Sequence, residues 1–339
     1  MELFSIDVFS GCGGLSEGMR QAHFETQIAF DIDETASKVF RLNHPKTIVI
    51  TKDIRKISIS EIKGILNGKK IHLFAGCPPC QGFSSMRRLN GINVRDQRNN
   101  LILEYLRLVL AIKPLTIMME NVSALEKYYL FDGMVRNLKR SGYNIDYKIV
   151  NVKDYGIPQS RKRLVLVGSR LGEIKVASPN NEKKTVRQTI GKLPKPEYSK
   201  DHLHKMFSKH SRRIQERIEI TPKNGGSRID IPKEYLLACH KSKNVGFHDV
   251  YGRLRWDDYS TTITGGCLNP SKGRFLHPEQ NRCISAREAL LLQSFPIDYK
   301  FPENISKTKI ALLIGNSLPP KFSFIQSDNI RKHLISHLG

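Results

Sequence analysis

LFSIDVFSGCGG, residues 3–14, is the stretch of this chain that decides its fold. Its first half has the apolar, alternating pattern of a buried strand, and its second half is a turn rich in glycine. Glycine lets a ligand approach the backbone closely, and the start of the helix that follows favours negative charge. The stretch therefore predicts a strand, a turn that can bind a ligand, and a helix.

The same alternation of short apolar runs and helix-length segments continues to about residue 170. It predicts an α/β fold with a doubly wound, mostly parallel sheet. The runs that predict strands are 3–9, 26–31, 47–50, 71–75, 115–120, 145–152 and 164–167.

The domain division follows from where this alternation ends. After Lys183 the pattern fades, and proline, glycine, lysine and histidine dominate. We expect a catalytic and cofactor-binding domain over 1–185, a smaller irregular domain over 186–283, and C-terminal helices over 284–339 that return to the first domain.

The charge of the chain favours a polyanionic partner. Its 339 residues include 55 Lys and Arg against 32 Asp and Glu, a formal net charge of +23. Between 181 and 250 there are 16 basic and 8 acidic residues, a net of +8. We therefore expect this segment to meet the phosphates of a nucleic acid.

Cysteine usage and hydropathy indicate the compartment. No apolar run reaches the roughly 18 residues of a membrane span, and the six cysteines are too scattered for a disulfide framework. We expect a cytoplasmic protein that binds no membrane. We also expect no metal, because the single Cys-x-x-Cys has no second pair at ligand spacing.

Acidic residues at strand ends point to a nucleotide-like cofactor. Asp31 ends the second predicted strand, 20 residues after Gly11, where an acid suits the two hydroxyls of a ribose. Asp53 follows the third strand and suits an adenine amino group. Ser16 stands where the dinucleotide fingerprint has glycine, which weakens a dinucleotide interpretation. An ordinary tight turn is the alternative.

GCPPCQGFS, residues 76–84, places Cys80 on a proline-stiffened turn after a predicted strand. Four arginines (87, 88, 95 and 98) follow and would supply the electropositive surroundings that a nucleophilic thiolate needs. Two other interpretations stay open at this point. Cys77 and Cys80 could be small buried hydrophobic residues or a redox pair.

Glu120 lies at the carboxyl end of another predicted strand, so it is expected to share one crevice with Cys80. A thiolate and a carboxyl group in one pocket suit attack on an electron-poor ring while the acid holds a ring nitrogen. Arg161 and Arg163, which open the last predicted strand, add positive charge to this set.

Six motifs together resemble the DNA (cytosine-5) methyltransferase family of bacterial type, in that family's order. They are DVFSGCGG (7–14), GCPPCQGFS (76–84), ENV (120–122), QSRKR (159–163), RLRWDDYSTTIT (253–264) and GNSLPP (315–320). The match covers nearly the whole chain outside about 170–250. Two departures affect only local geometry: Thr261 replaces a usual proline, and Leu318 replaces a common valine.

The resemblance implies methyl transfer from S-adenosylmethionine to C5 of a cytosine flipped out of duplex DNA. Cys80 would add to C6 as the thiolate while Glu120 holds N3. Arg163, with Arg161, would bind the base carbonyl and stabilise its charge. The region 186–283 would recognise the target sequence.

The resemblance also implies the binding residues. The cofactor pocket would be lined by Phe9, Gly11, Gly13, Gly14, Asp31, Ile32, Asp53, Ile54, Pro79 and Asn316. Contacts to double-stranded DNA are expected from Gln81, Ser84, Arg87, Arg88, Arg228, Lys241, Lys243 and Arg253. We expect a monomer, with a restriction endonuclease for the same site as a further partner.

Three other functions are compatible with parts of the sequence. A related enzyme acting on transfer RNA would share every catalytic motif. A dinucleotide-dependent oxidoreductase would share the fold, but it needs neither the Pro-Pro-Cys-Gln nucleophile nor a basic second domain. A pure binding module would have no use for Cys80, Glu120 and both arginines together.

Overall fold

The computed structural model of the chain describes residues 1–79, 100–237 and 249–339. Within these ranges a seven-stranded sheet organises the first half of the chain. Its strands are β1 (Leu3–Val8), β2 (Phe24–Asp31), β3 (Ile48–Thr51), β4 (Leu73–Gly76), β5 (Thr116–Val122), β6 (Asn144–Asn151) and β7 (Lys162–Ser169). Each of the seven predicted strands is confirmed, with ends that shift by three residues or fewer.

The strand order is β3-β2-β1-β4-β5-β7-β6. The pairs from β3 to β5 are parallel, and β7 runs antiparallel to both β5 and β6. The predicted doubly wound, mostly parallel sheet is therefore confirmed. The chain reverses its direction of winding between β1 and β4, and ligands bind at the carboxyl ends of strands beside such a switch point.

Eleven helices of the α type lie in the described ranges. They are α1 (Gly14–Gln21), α2 (Glu34–Asn43), α3 (Ile59–Leu66), α4 (Leu101–Ile112), α5 (Tyr129–Arg140), α6 (Val186–Ile190), α7 (His202–Lys205), α8 (Arg212–Ile220), α9 (Ala286–Leu292), α10 (Lys307–Asn316) and α11 (Pro320–Leu338). Between β7 and α9 they are short and separated by turns, as the loss of pattern after Lys183 predicts.

The chain forms two compact units. The first comprises 1–155, 162–180 and 317–339, and the second comprises 156–161 and 181–316. By packing, α9 and α10 thus belong to the second unit, and only α11 returns to the first. The functional division at 185 and 283 stays a prediction.

The core of the first unit lies between the sheet and α3, α4 and α5. Side chains such as Ile6, Phe74 and Ile117 from the strands meet Tyr105 and Leu138 from the helices, all of them buried. On α1, Gly18 allows close packing against α11, because a Cβ there would lie 2.3 Å from the Ser323 Cβ. The rigid sheet fixes the strand ends from which the functional side chains project.

Two negative findings apply to the described ranges. None of their helices is both long and apolar enough to cross a membrane. No group of three or more His, Cys, Asp or Glu side chains in them is arranged to hold a metal ion.

Candidate active site

The turn after β1 has an unusual backbone that fixes it to β2. Phe9, Gly11 and Gly13 have φ values of 62°, 54° and 94°, in the left-handed region that favours glycine. The Gly11 N–H donates to Oδ2 of Asp31 at 2.7 Å. A Cβ on Gly11 would meet no atom within 4 Å, so open space lies beside the turn. Gly14 begins α1 directly after it.

Asp31 and Ile32 end β2 beside this turn. Asp31 Oδ1 accepts the N–H of Asp33 at 2.8 Å, so both carboxylate oxygens are oriented by backbone donors. Burial raises the pKa of the Asp31 carboxyl group above its usual value. Ile32 is 69% exposed, which is high for a large apolar side chain. A carboxylate with free lone pairs beside an exposed apolar surface fits the ribose and adenine of S-adenosylmethionine.

Asp53 follows β3, and its carboxylate accepts from the N–H and Nε of Arg55 at 3.0 and 2.9 Å. This interaction lowers its pKa to about 2, so it stays an acceptor. Ile54 is only 5% exposed and packs in the core of the first unit. The expectation that Ile54 flanks the cofactor is therefore corrected, because its apolar surface is already buried.

A contact that the sequence reasoning missed lies under the glycine turn. Asp7 Oδ2 accepts from the Ser16 hydroxyl at 2.6 Å, and its Oδ1 has no hydrogen-bond partner among the described residues. Complete burial raises the pKa of Asp7 to about 7. The sequence did contain a signal for this contact: Ser16 stands where the dinucleotide fingerprint has its third glycine. Its hydroxyl is the group that binds Asp7 on β1.

The end of β4 carries the chain towards Cys80. Gly76 packs against β1 so closely that a Cβ would lie 2.4 Å from Val8 Cγ2. Asn121, after Glu120 on β5, donates from Nδ2 to the Pro78 carbonyl at 2.8 Å. Pro79 follows, half-buried. Outside the described residues lie the predicted nucleophile and four predicted DNA contacts: Cys80, Gln81, Ser84, Arg87 and Arg88.

Glu120 and Arg163 meet across β5 and β7. They are diagonal neighbours in the antiparallel ladder, and Arg163 Nε lies 2.7 Å from Glu120 Oε1. The Arg163 side chain is 15% exposed and the Glu120 side chain 9%. Oε1 has this close charge contact but no well-aligned hydrogen bond within the described part of the chain. A nearly buried carboxylate is therefore held by an arginine through Oε1.

Arg161 belongs to the second unit, in the short segment that precedes β7. It is 4% exposed, and its Nη1 donates to the carbonyls of Ile263 and Gly315 at 3.0 and 3.1 Å. Its predicted contact with the base carbonyl stays a prediction, and the structure adds a structural role for its Nη1. Gln159 acts similarly and accepts the Ile263 N–H at 2.8 Å.

The GNSLPP motif is positioned by close backbone packing. Gly315, near the end of α10, leaves no room for a side chain, since a Cβ would lie 2.1 Å from the Thr264 carbonyl carbon. Asn316 is exposed, and Ser317 after it contacts the Cys12 thiol of the glycine turn at 3.0 Å. Burial raises the pKa of Cys12 to about 12, so it is a neutral packing group.

Two predicted DNA contacts in the second unit are corrected. Arg253 is completely buried, and its guanidinium donates to four backbone carbonyls and to Asn281 Oδ1. Arg228 is only 4% exposed. Both side chains therefore stabilise the unit from within instead of presenting charge to a duplex. Lys241 and Lys243 lie outside the described residues.

Comparisons with known proteins agree with this site. Residues 3–332 match the family described as C-5 cytosine-specific DNA methylase. The chain is 34% identical to the Type II methylase M.HgiDII of Herpetosiphon aurantiacus, over 97% of this chain and 95% of that protein. It is 33% identical to the Type II methyltransferase M1.HphI of Haemophilus parahaemolyticus, over 94% and 84%.

A solved structure shows the same architecture. The putative DNA modification methyltransferase encoded within an E. coli prophage superposes with a TM-score of 0.75 at 25% identity, over 98% of this chain and 100% of that one. The family match disfavours the oxidoreductase and transfer RNA alternatives. The chain belongs to the C-5 cytosine-specific DNA methylase family: it is a DNA (cytosine-5)-methyltransferase that uses S-adenosylmethionine as its methyl donor.

Proposed function

We propose that this enzyme methylates C5 of a flipped-out cytosine in a specific duplex sequence through a covalent adduct with Cys80. The single observation that carries this proposal is the Glu120–Arg163 pair on β5 and β7, because the residue after Glu120 binds Pro78. Cys80 is two residues from Pro78, which supports a thiol close to that pair.

In this proposal Cys80 adds to C6 as the thiolate, which makes C5 nucleophilic. Protonated Glu120 donates to N3 of the cytosine and follows the charge that develops in the ring. Arg163 holds Glu120 in place and donates to the base carbonyl as its oxygen gains charge. C5 would then attack the methyl group of the bound cofactor, whose sulfonium sulfur would leave as a neutral thioether. Loss of the C5 proton to a base and elimination of the Cys80 thiolate would release the methylated base.

The cofactor pocket is proposed at the carboxyl ends of β1, β2 and β3. S-adenosylmethionine supplies an electrophilic methyl group when bound. Gly11 leaves room beside the backbone, Asp31 accepts from the ribose hydroxyls, and Ile32 covers the adenine face. Asp53 accepts from the adenine amino group. The proposed lining includes Phe9, Gly13, Gly14, Pro79 and Asn316 as well.

The wider setting of the reaction is also proposed. We place sequence recognition in the region 186–283, because that region holds much of the positive charge of the chain. The enzyme would act as a monomer in the cytoplasm, on the nucleoid DNA of a bacterial cell. The similarity to two Type II methyltransferases supports a cognate restriction endonuclease for the same site.

One experiment tests the chemistry. Bisulfite sequencing of DNA from cells that express the chain identifies the methylated site, and a duplex with 5-fluorocytosine at that site is then incubated with enzyme and S-adenosylmethionine. Because C5 now carries fluorine instead of a proton, the elimination step fails and the adduct should persist on a denaturing gel.

Cys80→Ser should form no adduct yet bind the duplex with nearly unchanged affinity, and Cys77→Ala is the matched control that keeps the adduct. An adduct with Cys80→Ser would remove Cys80 as the nucleophile. Glu120→Gln should bind DNA normally and methylate slowly, because a neutral amide cannot transfer the proton that a carboxylic acid can.

A further inference from the structure

We infer that Arg255 reads a guanine in the major groove of the target duplex. This inference rests on the proposed role of the second unit in sequence recognition. Arg255 is the exposed side chain in the segment Gly252–Trp256, whose other four residues are buried. Neither Arg228 nor Arg253 can take this role, because both are buried.

The backbone on both sides of Arg255 is firmly held. The Leu254 N–H donates to the Leu276 carbonyl at 2.9 Å, and Arg253 is anchored by its five internal hydrogen bonds. On the other side the Trp256 N–H donates to Asn224 Oδ1 at 2.8 Å, and its indole Nε1 donates to Glu279 Oε1 at 2.7 Å. The Cα of Arg255 therefore has a fixed position.

The side chain of Arg255 lies on a glycine turn. A Cβ on Gly225 would lie 2.6 Å from Arg255 Nε and 2.7 Å from its Cγ, so the arginine side chain packs directly on the glycine. Gly225 has a φ of 117°, and its carbonyl accepts from Arg274 Nη1 at 2.6 Å. The side chain thus rests on a surface that is itself anchored, which reduces its conformational freedom.

The charge of Arg255 is not neutralised within the described part of the chain. Its neighbours Arg274 and Arg187 form ion pairs with Asp249 and Asp257 at 2.9 and 2.7 Å. No such pair or hydrogen bond involves the Arg255 side chain in the described residues. An oriented guanidinium is therefore ready for an external acceptor.

The fixed backbone of Arg255 and the packing of its side chain on Gly225 favour contact with a base over contact with a phosphate. A phosphate contact needs positive charge but little orientation, and a flexible side chain provides it. Two parallel bonds from a planar guanidinium to guanine O6 and N7 need orientation, and this is the commonest specific contact in the major groove. A pre-oriented arginine loses less entropy when it forms them.

The test uses the full-length enzyme and does not depend on methylation. Selection of bound duplexes from a randomised library, followed by sequencing, defines the preferred site of the wild-type chain. Equilibrium binding is then measured at several salt concentrations for that site, for variants with each G·C pair replaced, and for an unrelated duplex. The proteins are Arg255→Ala, Arg255→Lys and the control Lys332→Ala in the first unit, which also removes one positive charge; the Lys332 side chain is 70% exposed and pairs with Asp328 at 2.8 Å.

We expect Arg255→Ala to reduce discrimination at one G·C position by about 5- to 150-fold, the equivalent of about 1 to 3 kcal/mol. Binding of the unrelated duplex and the salt slope should match those of Lys332→Ala. Arg255→Lys should not restore discrimination, because one ammonium group cannot form the two parallel bonds.

Three results would overturn the inference. A similar loss on all duplexes with a salt slope smaller by about 1 would show a phosphate contact. Behaviour identical to that of Lys332→Ala in every assay, including discrimination, would show that the Arg255 side chain faces solvent. A wild-type chain that binds without sequence preference would leave nothing for Arg255 to read. Failure of the proposed function would give a different result: the enzyme would still bind selectively, but bisulfite sequencing would find no methylated cytosine.

Discussion

Asn121 is the described residue that joins the strand of Glu120 to the turn that leads to Cys80. It is 5% exposed, and it donates to the Pro78 carbonyl while its Oδ1 accepts the Val122 N–H, both at 2.8 Å. Asn121→Asp keeps the size of the side chain and the acceptor for Val122. It removes the donor, so an acceptor faces the Pro78 carbonyl.

The expected cost follows from this single change. A buried carbonyl that loses its donor costs about 1 to 3 kcal/mol, and protonation of the new carboxyl group to restore a donor has a free-energy cost of similar size at neutral pH. If the hydrogen bond from Asn121 to Pro78 positions the nucleophile, its loss should reduce the stabilisation of the transition state by the same free energy. The rate of methyl transfer should then fall by about 5- to 150-fold.

Single-turnover methylation of the target duplex at saturating S-adenosylmethionine measures this effect. Cofactor affinity should change less than the rate, because Gly11 and Asp31 belong to the β1 and β2 side of the sheet and only Pro79 of the proposed pocket adjoins the lost bond. The control is Asn137→Asp on α5, where an exposed amide that donates to the Gly133 carbonyl gains the same charge. A rate for Asn121→Asp within about twofold of that control would refute the positioning argument, since about 0.4 kcal/mol is too little for a buried bond.

Two further predictions concern stability. The pKa of Asp7 is about 7 in the folded protein, against an ordinary value of 3.8. Between these two values the folded protein keeps a proton on Asp7 that the unfolded chain has lost. The unfolding free energy therefore falls as pH rises from about 4 to about 7. Asp7→Asn should remove that dependence, so urea unfolding should show the wild type losing about 2 to 3 kcal/mol relative to the variant between about pH 5 and pH 7.5; parallel curves would contradict the burial argument. Gly315→Ala should destabilise the protein by about 1 to 3 kcal/mol, because its Cβ would lie 2.1 Å from Thr264 backbone, whereas Gly133→Ala, with open space around it inside α5, should be neutral or stabilising. Equal melting temperatures for the two alanine variants would show that the Gly315 contact can relax.

The sheet and its strand-end residues were predictable because parallel strands impose strong local patterns. Asp31 and Glu120 each end an apolar run, and parallel neighbours bring such ends to one edge. Ile54 also follows a strand, yet it belongs to the core. The sequence shows where a strand ends. It does not show whether an apolar side chain that follows the strand faces solvent, because that depends on which helix covers the side chain.

The second unit was less predictable because its order depends on contacts that are distant in sequence. Arg253 reaches carbonyls from Ile218 to Gln280, and no local pattern distinguishes such an arginine from one that binds DNA. The neighbouring Arg255, of the same residue type, is exposed. Charge counts therefore identify a basic segment, whereas the assignment of individual arginines needs burial and partners.

The arginine motif shows how a small shift in a strand boundary changes the chemistry. Arg161 and Arg163 are two residues apart, and a continuous strand would point both side chains to the same face of the sheet. β7 begins at Lys162, so only Arg163 has the strand register that brings it to Glu120. Arg161 precedes the strand, in the short segment where Gln159 pairs with Ser260, and its Nη1 binds the carbonyls of Ile263 and Gly315. One motif thus provides a charge beside Glu120 in the proposed active site and a backbone contact to Gly315 of the GNSLPP motif. Substitutions of these two arginines should consequently differ in kind: loss of Arg163 should impair the chemical step, whereas loss of Arg161 should first lower stability.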